Sequence, residues 1–170
     1  MTIGGIKLNF GFSYTGLIFL IMLFIPNILW AKRKPKDYEK FAANENKLLL
    51  AFERTGEFLV SGLCLIFKDF NIGKISVWSS FLAAGVLLMF LYEFYWLRYF
   101  MSKRTMSDMY SSILGIPIAG ASLPVGAFML LGIYGKNIPL IVSVIILGIG
   151  HIGIHYNHKK EIKENYYDNF

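Results

Sequence analysis

A bundle of five transmembrane α-helices is the fold this sequence predicts, and three observations predict it. Hydrophobic residues make up 55% and aromatic residues 16% of the 170 positions, with a mean hydropathy of +0.51, well above the values of a water-soluble domain of this size. Five stretches approach the about 20 mostly apolar residues that a helix needs to cross a bilayer. Polar or charged turns bound each stretch. No Pro-, Ser- or Gly-rich linker divides the chain, so 1–170 reads as one five-span domain.

Span one covers residues 14–30. Only Lys7 precedes it among basic residues, no small-residue cleavage pattern follows, and Lys32-Arg33-Lys34-Pro35-Lys36 reads as a stop-transfer signal, so a retained span is expected. Asn27 follows Pro26 near its end and can turn an amide toward a cavity or cap a kinked helix end.

Span two, 48–67, carries the strongest functional signal. Its apolar part, Phe58 to Phe67, would rise only about 15 Å, half of a hydrocarbon core. The helix must therefore extend back through Glu57, Arg54 and Glu53. At 100° per residue Asn46, Glu53, Glu57, Ser61 and Cys64 share one face, a polar stripe unsuited to lipid. Arg54 can pair with Glu57 three residues on, but Glu53 and Glu57 place two like charges on the same side, so a proton, a cation or a cationic ligand is expected to neutralise them. Cys64 is the single cysteine, which rules out an intrachain disulfide.

Span three, 77–97, brings Glu93 to a similar depth, with Tyr92, Tyr95 and Arg98 nearby; a simple pair with Arg98 is the alternative to a site role. Span four, 113–134, has a small-residue stripe of Gly115, Ala119, Ser122 and Gly126 that invites close packing, with Pro124 expected to kink the helix near its middle. Span five, 138–156, places His151 and His155 at i and i+4, a spacing that can chelate one ion. His158, beside Lys159 and Lys160, reads as a solvated interfacial residue. Gly148-Ile149-Gly150-His151-Ile152-Gly153 matches a dinucleotide fingerprint by letter only, because it lies inside an apolar span with no βα turn before it; helix packing explains these glycines better.

Orientation follows from the basic residues. Twelve of the Lys and Arg fall after spans one, three and five, against Lys7, Lys68, Lys74 and Lys136 on the opposite side, which puts the N-terminus outside and the C-terminus in the cytoplasm of a multi-pass plasma-membrane protein. That asymmetry absorbs most of the formal +6 charge, so no nucleic-acid partner is implied. Composition rich in Lys, Asn, Ile and Tyr points to a bacterial source.

Glu53, Glu57, Glu93, His151 and His155, with Asn27 and Arg54, form the expected ligand site at the cytoplasmic end, since ionisable groups inside membrane spans are costly and mark function by default. The leading expectation is a protein that binds or transports a proton, a cation or a small cationic ligand. A membrane-embedded enzyme acting on a lipid-like substrate, with a divalent metal on His151, His155 and Glu57, is the rival; no catalytic residue is assigned. A structural or accessory subunit, whose polar groups only join helices, is the third reading. Beyond the lipid bilayer, a homodimer through the small-residue face of span four is the expected partner.

Overall fold

The computed structural model describes residues 2–3, 6–42 and 45–167, with side chains from 8–40 and 45–164, so Lys7 of the charge count lies outside the described side chains. Helices dominate it: α1 (Tyr14–Lys32), α2 (Glu39–Ala42), α3 (Lys47–Ile66), α4 (Ser79–Met101), α5 (Met106–Tyr110), α6 (Ala119–Tyr134) and α7 (Ile138–Tyr167), preceded by two short antiparallel strands, β1 (Thr2–Ile3) and β2 (Ile6–Lys7). Among the described residues three helices, α1, α4 and α7, are long and apolar enough to cross a membrane. Their outward faces carry Ile18, Phe24, Ile25, Phe90, Phe94 and Ile149, all exposed, a surface that water would penalise and lipid would not.

Local signals explain the helix starts. Ser13 accepts a hydrogen bond from the Gly16 amide at 2.9 Å ahead of α1, and Asn46 accepts from the Leu48 and Leu49 amides ahead of α3. The Asn137 side chain accepts from the Leu140 amide at the head of α7. Each satisfies donors that a helix N-terminus leaves open.

Spans two, four and five differ from the sequence reading, α3 over span two not being among the three helices long and apolar enough to cross a membrane. Span four becomes a helix only from Ala119, because Leu114, Gly115 and Ile118 all take positive φ and an isolated bridge pairs Ile113 with Ile116. Pro117 contributes, since a proline disfavours helix in the residue before it. Span five overruns its expected end at residue 156, and α7 continues to Tyr167 through the polar tail, with Lys160 and Glu164 3.7 Å apart along it.

Packing is organised in two antiparallel pairs, α3 on α7 and α4 on α6, joined through α6 on α7, while α1 lies more lightly on α3 and α4. Glycines allow the tightest crossing. A Cβ on Gly56 would stand 2.5 Å from the Leu147 amide nitrogen, and one on Gly150 would stand 2.5 Å from the Leu49 carbonyl oxygen and clash with the Glu53 backbone. The glycine-rich run of span five is thus a helix-crossing surface. Span four's small residues also serve packing inside the chain: Leu88 of α4 stands 3.1 Å from the Cβ position of Gly126, and Tyr95 fills the space beside Gly120.

Chain ends and connections gather accordingly. At one end the N-terminal segment meets the turn after α3, where Asn9 donates to Asp69 and Phe10 stacks on Phe67. The opposite end collects the α1–α3 connection, the α4–α6 connection and the C-terminal half of α7, tied by the Met106 amide on Asp37 at 2.9 Å and Tyr99 on the Arg33 carbonyl. The ionisable cluster sits there.

Candidate functional site

The α3–α7 crossing positions the first pair of the site. With Gly150 seated on the backbone of Glu53, the carboxylate of Glu53 lies 2.5 Å from His151 Nδ1, and both side chains are largely buried. A carboxylate only accepts, so the proton of this contact sits on Nδ1 or has passed to Glu53.

His155 and His158 follow on the same face of α7, one and two turns on. Tyr110, at the end of the short α5, reaches both: its hydroxyl lies 2.9 Å from His155 Nδ1 and 3.1 Å from His158 Nδ1. One hydroxyl carries one proton, so Tyr110 donates to one ring and accepts N–H from the other. The tautomers of the two histidines are therefore coupled. Beyond them, Glu45 Oε1 stands 3.6 Å from His158 Nε2, and the His151 and His155 rings are 4.5 Å apart.

α5 owes its place to a capping box. Thr105 accepts from the Asp108 amide while Asp108 accepts from the Thr105 amide and hydroxyl, and these hydrogen bonds, the Thr105 backbone first, hold the Asp108 carboxyl below its ordinary range. Arg98 fixes the following turn by donating to the carbonyls of Asp108, Ser111 and Ser112. Thr105→Ala is expected to cost about 1 kcal/mol of local stability. Faster hydrogen exchange at Met106–Tyr110, with little change in α7, would show it. Because a depressed carboxyl pKa adds stability above its unfolded value and loses it as pH falls through the folded value, the same segment should loosen in acid.

These groups line a cavity of about 290 Å³ whose remaining wall includes Trp30, Tyr38, Trp96, Glu57 and Arg54. Three carboxylates, Glu45, Glu53 and Glu57, and one guanidinium, Arg54, stand in its lining. Burial first, and Glu45 next, raises the Tyr38 phenol above the ordinary tyrosine range, and the Tyr110 phenol is raised by burial with Glu45 and Glu53 among the further causes.

Of the residues expected from sequence, Glu53, Glu57, His151, His155, Asn27 and Arg54 all line this cavity. Asn27 donates to the Leu23 carbonyl and to the Tyr92 hydroxyl in mid-helix, so it does not cap a helix end. Arg54 and Glu57 pair at 3.1 Å on the exposed rim. Glu93 lines neither this cavity nor its neighbour. On α4 the interior face is Tyr92, Tyr95, Trp96 and Tyr99, all buried, and Glu93 points off that face; Arg98, its expected partner, is spent on the carbonyls after α5. Among the described residues no three His, Cys, Asp or Glu side chains converge to hold one metal ion.

His158 corrects the sequence reading. It is 5% exposed and belongs to the cluster, because α7 continues past the apolar run and carries this turn under α5. Tyr110 and Glu45 were missed, since neither lies in an apolar span. The Thr105-x-x-Asp108 spacing was the available signal for α5, as was Asn46 for the start of α3 beside Glu45. The chain matches no model of a known protein family, no curated protein and no solved structure.

Proposed function

We propose that this protein binds a small organic cation in the Glu/His cavity, from the cytoplasmic side of the plasma membrane. The observation that carries the reading is the gathering of Glu45, Glu53, Glu57 and the three histidines around one cavity walled by Trp30, Tyr38, Trp96 and Tyr110. Carboxylates supply the charge and aromatic faces supply cation–π attraction, the combination that suits an alkylammonium group. Two of these rings can take a cation: the ammonium of exposed Lys34, which does not line the cavity, lies 4.8 Å from the Tyr38 ring centre and 5.7 Å from that of Trp30.

The same reading includes a five-pass topology with the N-terminus outside. It is supported by the positive-inside count and by the gathering of the basic α1–α3 and α4–α6 connections at the cavity end. Proton movement fits the site as well, because Tyr110 bridges two histidines and can pass a proton between them. Self-association through the small-residue face of span four belongs to the same reading, with Gly115 open and Gly126 approached by Leu88 of α4.

Titration of tetramethylammonium against detergent-solubilised protein tests the reading. Saturable binding is expected, weakened about tenfold or more in the Glu53→Gln, Glu57→Gln double variant, a factor that corresponds to about 1.4 kcal/mol. Equal binding by wild type and variant, or none by wild type, would overturn it.

A further inference from the structure

We propose that the ligand is an amphiphile, an ammonium head bearing an alkyl chain, and that its chain occupies a second cavity entered between α1 and α3. This rests on the cation reading above. The second cavity, about 530 Å³, is bounded by Leu23, Phe24, Phe58, Val60, Pro124 and Phe128. It shares Asn27, Arg54, Glu57 and His151 with the first, so a polar chamber and an apolar one meet at a common wall.

Each chamber alone fits a simpler ligand, and their junction fits a molecule with two ends. A small cation would leave the apolar chamber unfilled; an uncharged lipid would leave the carboxylates unanswered. The side of entry agrees, because Phe24, on a helix apolar enough to cross a membrane, and Phe58 at its margin are 45% and 81% exposed, and α1 packs only lightly on α3. An amphiphile already dissolved in the leaflet could slide its chain in sideways while its head meets the carboxylates.

The head chamber also holds unspent hydrogen-bonding groups. Among the described residues, Trp96 Nε1 and His158 Nε2, in residues 4% and 5% exposed, make no hydrogen bond, Glu45 Oε1 standing 3.6 Å from the latter. Buried polar atoms are nearly always partnered, and both residues line the head chamber, so a polar group of the ligand is expected there.

An alkyltrimethylammonium series from methyl to dodecyl, titrated against the protein in a non-ionic maltoside detergent with empty micelles as blank, tests the inference. Wild-type affinity should rise roughly two- to fourfold per added methylene over the first several carbons. Ser61→Trp, which fills the apolar chamber from α3, should flatten that rise while tetramethylammonium binds as before. Val125→Phe, from α6, serves if Ser61→Trp does not fold. Micelle partitioning is common to all three proteins, so a chain-length gain retained in both variants, or absent in wild type, overturns the chain site and leaves the cation reading standing. Wild type that binds no ammonium of any length overturns both.

Discussion

Gly150→Leu should abolish the folded state, and Gly150→Ala should lower thermal stability by several degrees. In α7 the Cβ position of Gly150 is already taken by the backbone of Glu53 and Leu49 on α3. Backbone cannot rotate aside as a flexible side chain can, so even one methyl must push the two helices apart along their whole contact. Overpacking of this kind costs typically about 1–3 kcal/mol, and leucine adds a branched side chain to the same wedge. Gly62→Ala is the internal contrast: nothing lies within 4 Å of its Cβ position, so the better helix former should be neutral or stabilising by up to about 1 kcal/mol. Thermal unfolding of both alanine variants in one detergent makes the comparison. Equal melting temperatures for Gly150→Ala and wild type would mean that the α3–α7 crossing is not as close as described.

Tyr110→Phe should have the second largest effect, and a different signature. The ring is retained, so packing changes little; only the hydroxyl that serves His155 and His158 is lost. Each orphaned buried partner costs about 1–3 kcal/mol, so a loss of a few kcal/mol is expected. The chain has three histidines, which makes nitrogen NMR on histidine-labelled protein readable. The ring signals of His155 and His158 should both move, because one proton had ordered both tautomers, whereas His151, held by Glu53, should move little. Unchanged signals at all three would dissolve the cluster.

How much of this was legible beforehand depends on which force set each feature. Apolar length and helical period are local, so the starts of α1, α3 and α7 and the shared face of Glu53 and Glu57 could be read directly. A cavity shared by Glu53 and His151 was expected, but not their direct pairing, whose cause, a glycine on α7 resting on the α3 backbone, is a tertiary fact that the letters offered only as a small-residue pattern. Glu93 lies outside the lining of both cavities for the opposite reason. Depth along a helix can be counted, yet direction around it is decided by packing, and on α4 the interior side is taken by the tyrosines and Trp96. Tyr110 escaped notice because it belongs to a single turn of helix between spans, where apolar periodicity has too few residues to register. His158 escaped because neighbouring lysines suggested water, while α5 folds over it.

The shortness of α6 has a consequence for the bilayer itself. Sixteen residues rise about 24 Å, short of an average hydrocarbon thickness of about 30 Å. Ahead of it stands a stretch of irregular backbone, Leu114 to Ile118, whose amides and carbonyls cannot be left in oil. If the proposed five-pass arrangement holds, lipid bordering the exposed turn at Leu114 and Gly115 would have to dimple toward it, and a molecule in that leaflet would have less depth to travel to the carboxylate chamber than the full membrane implies.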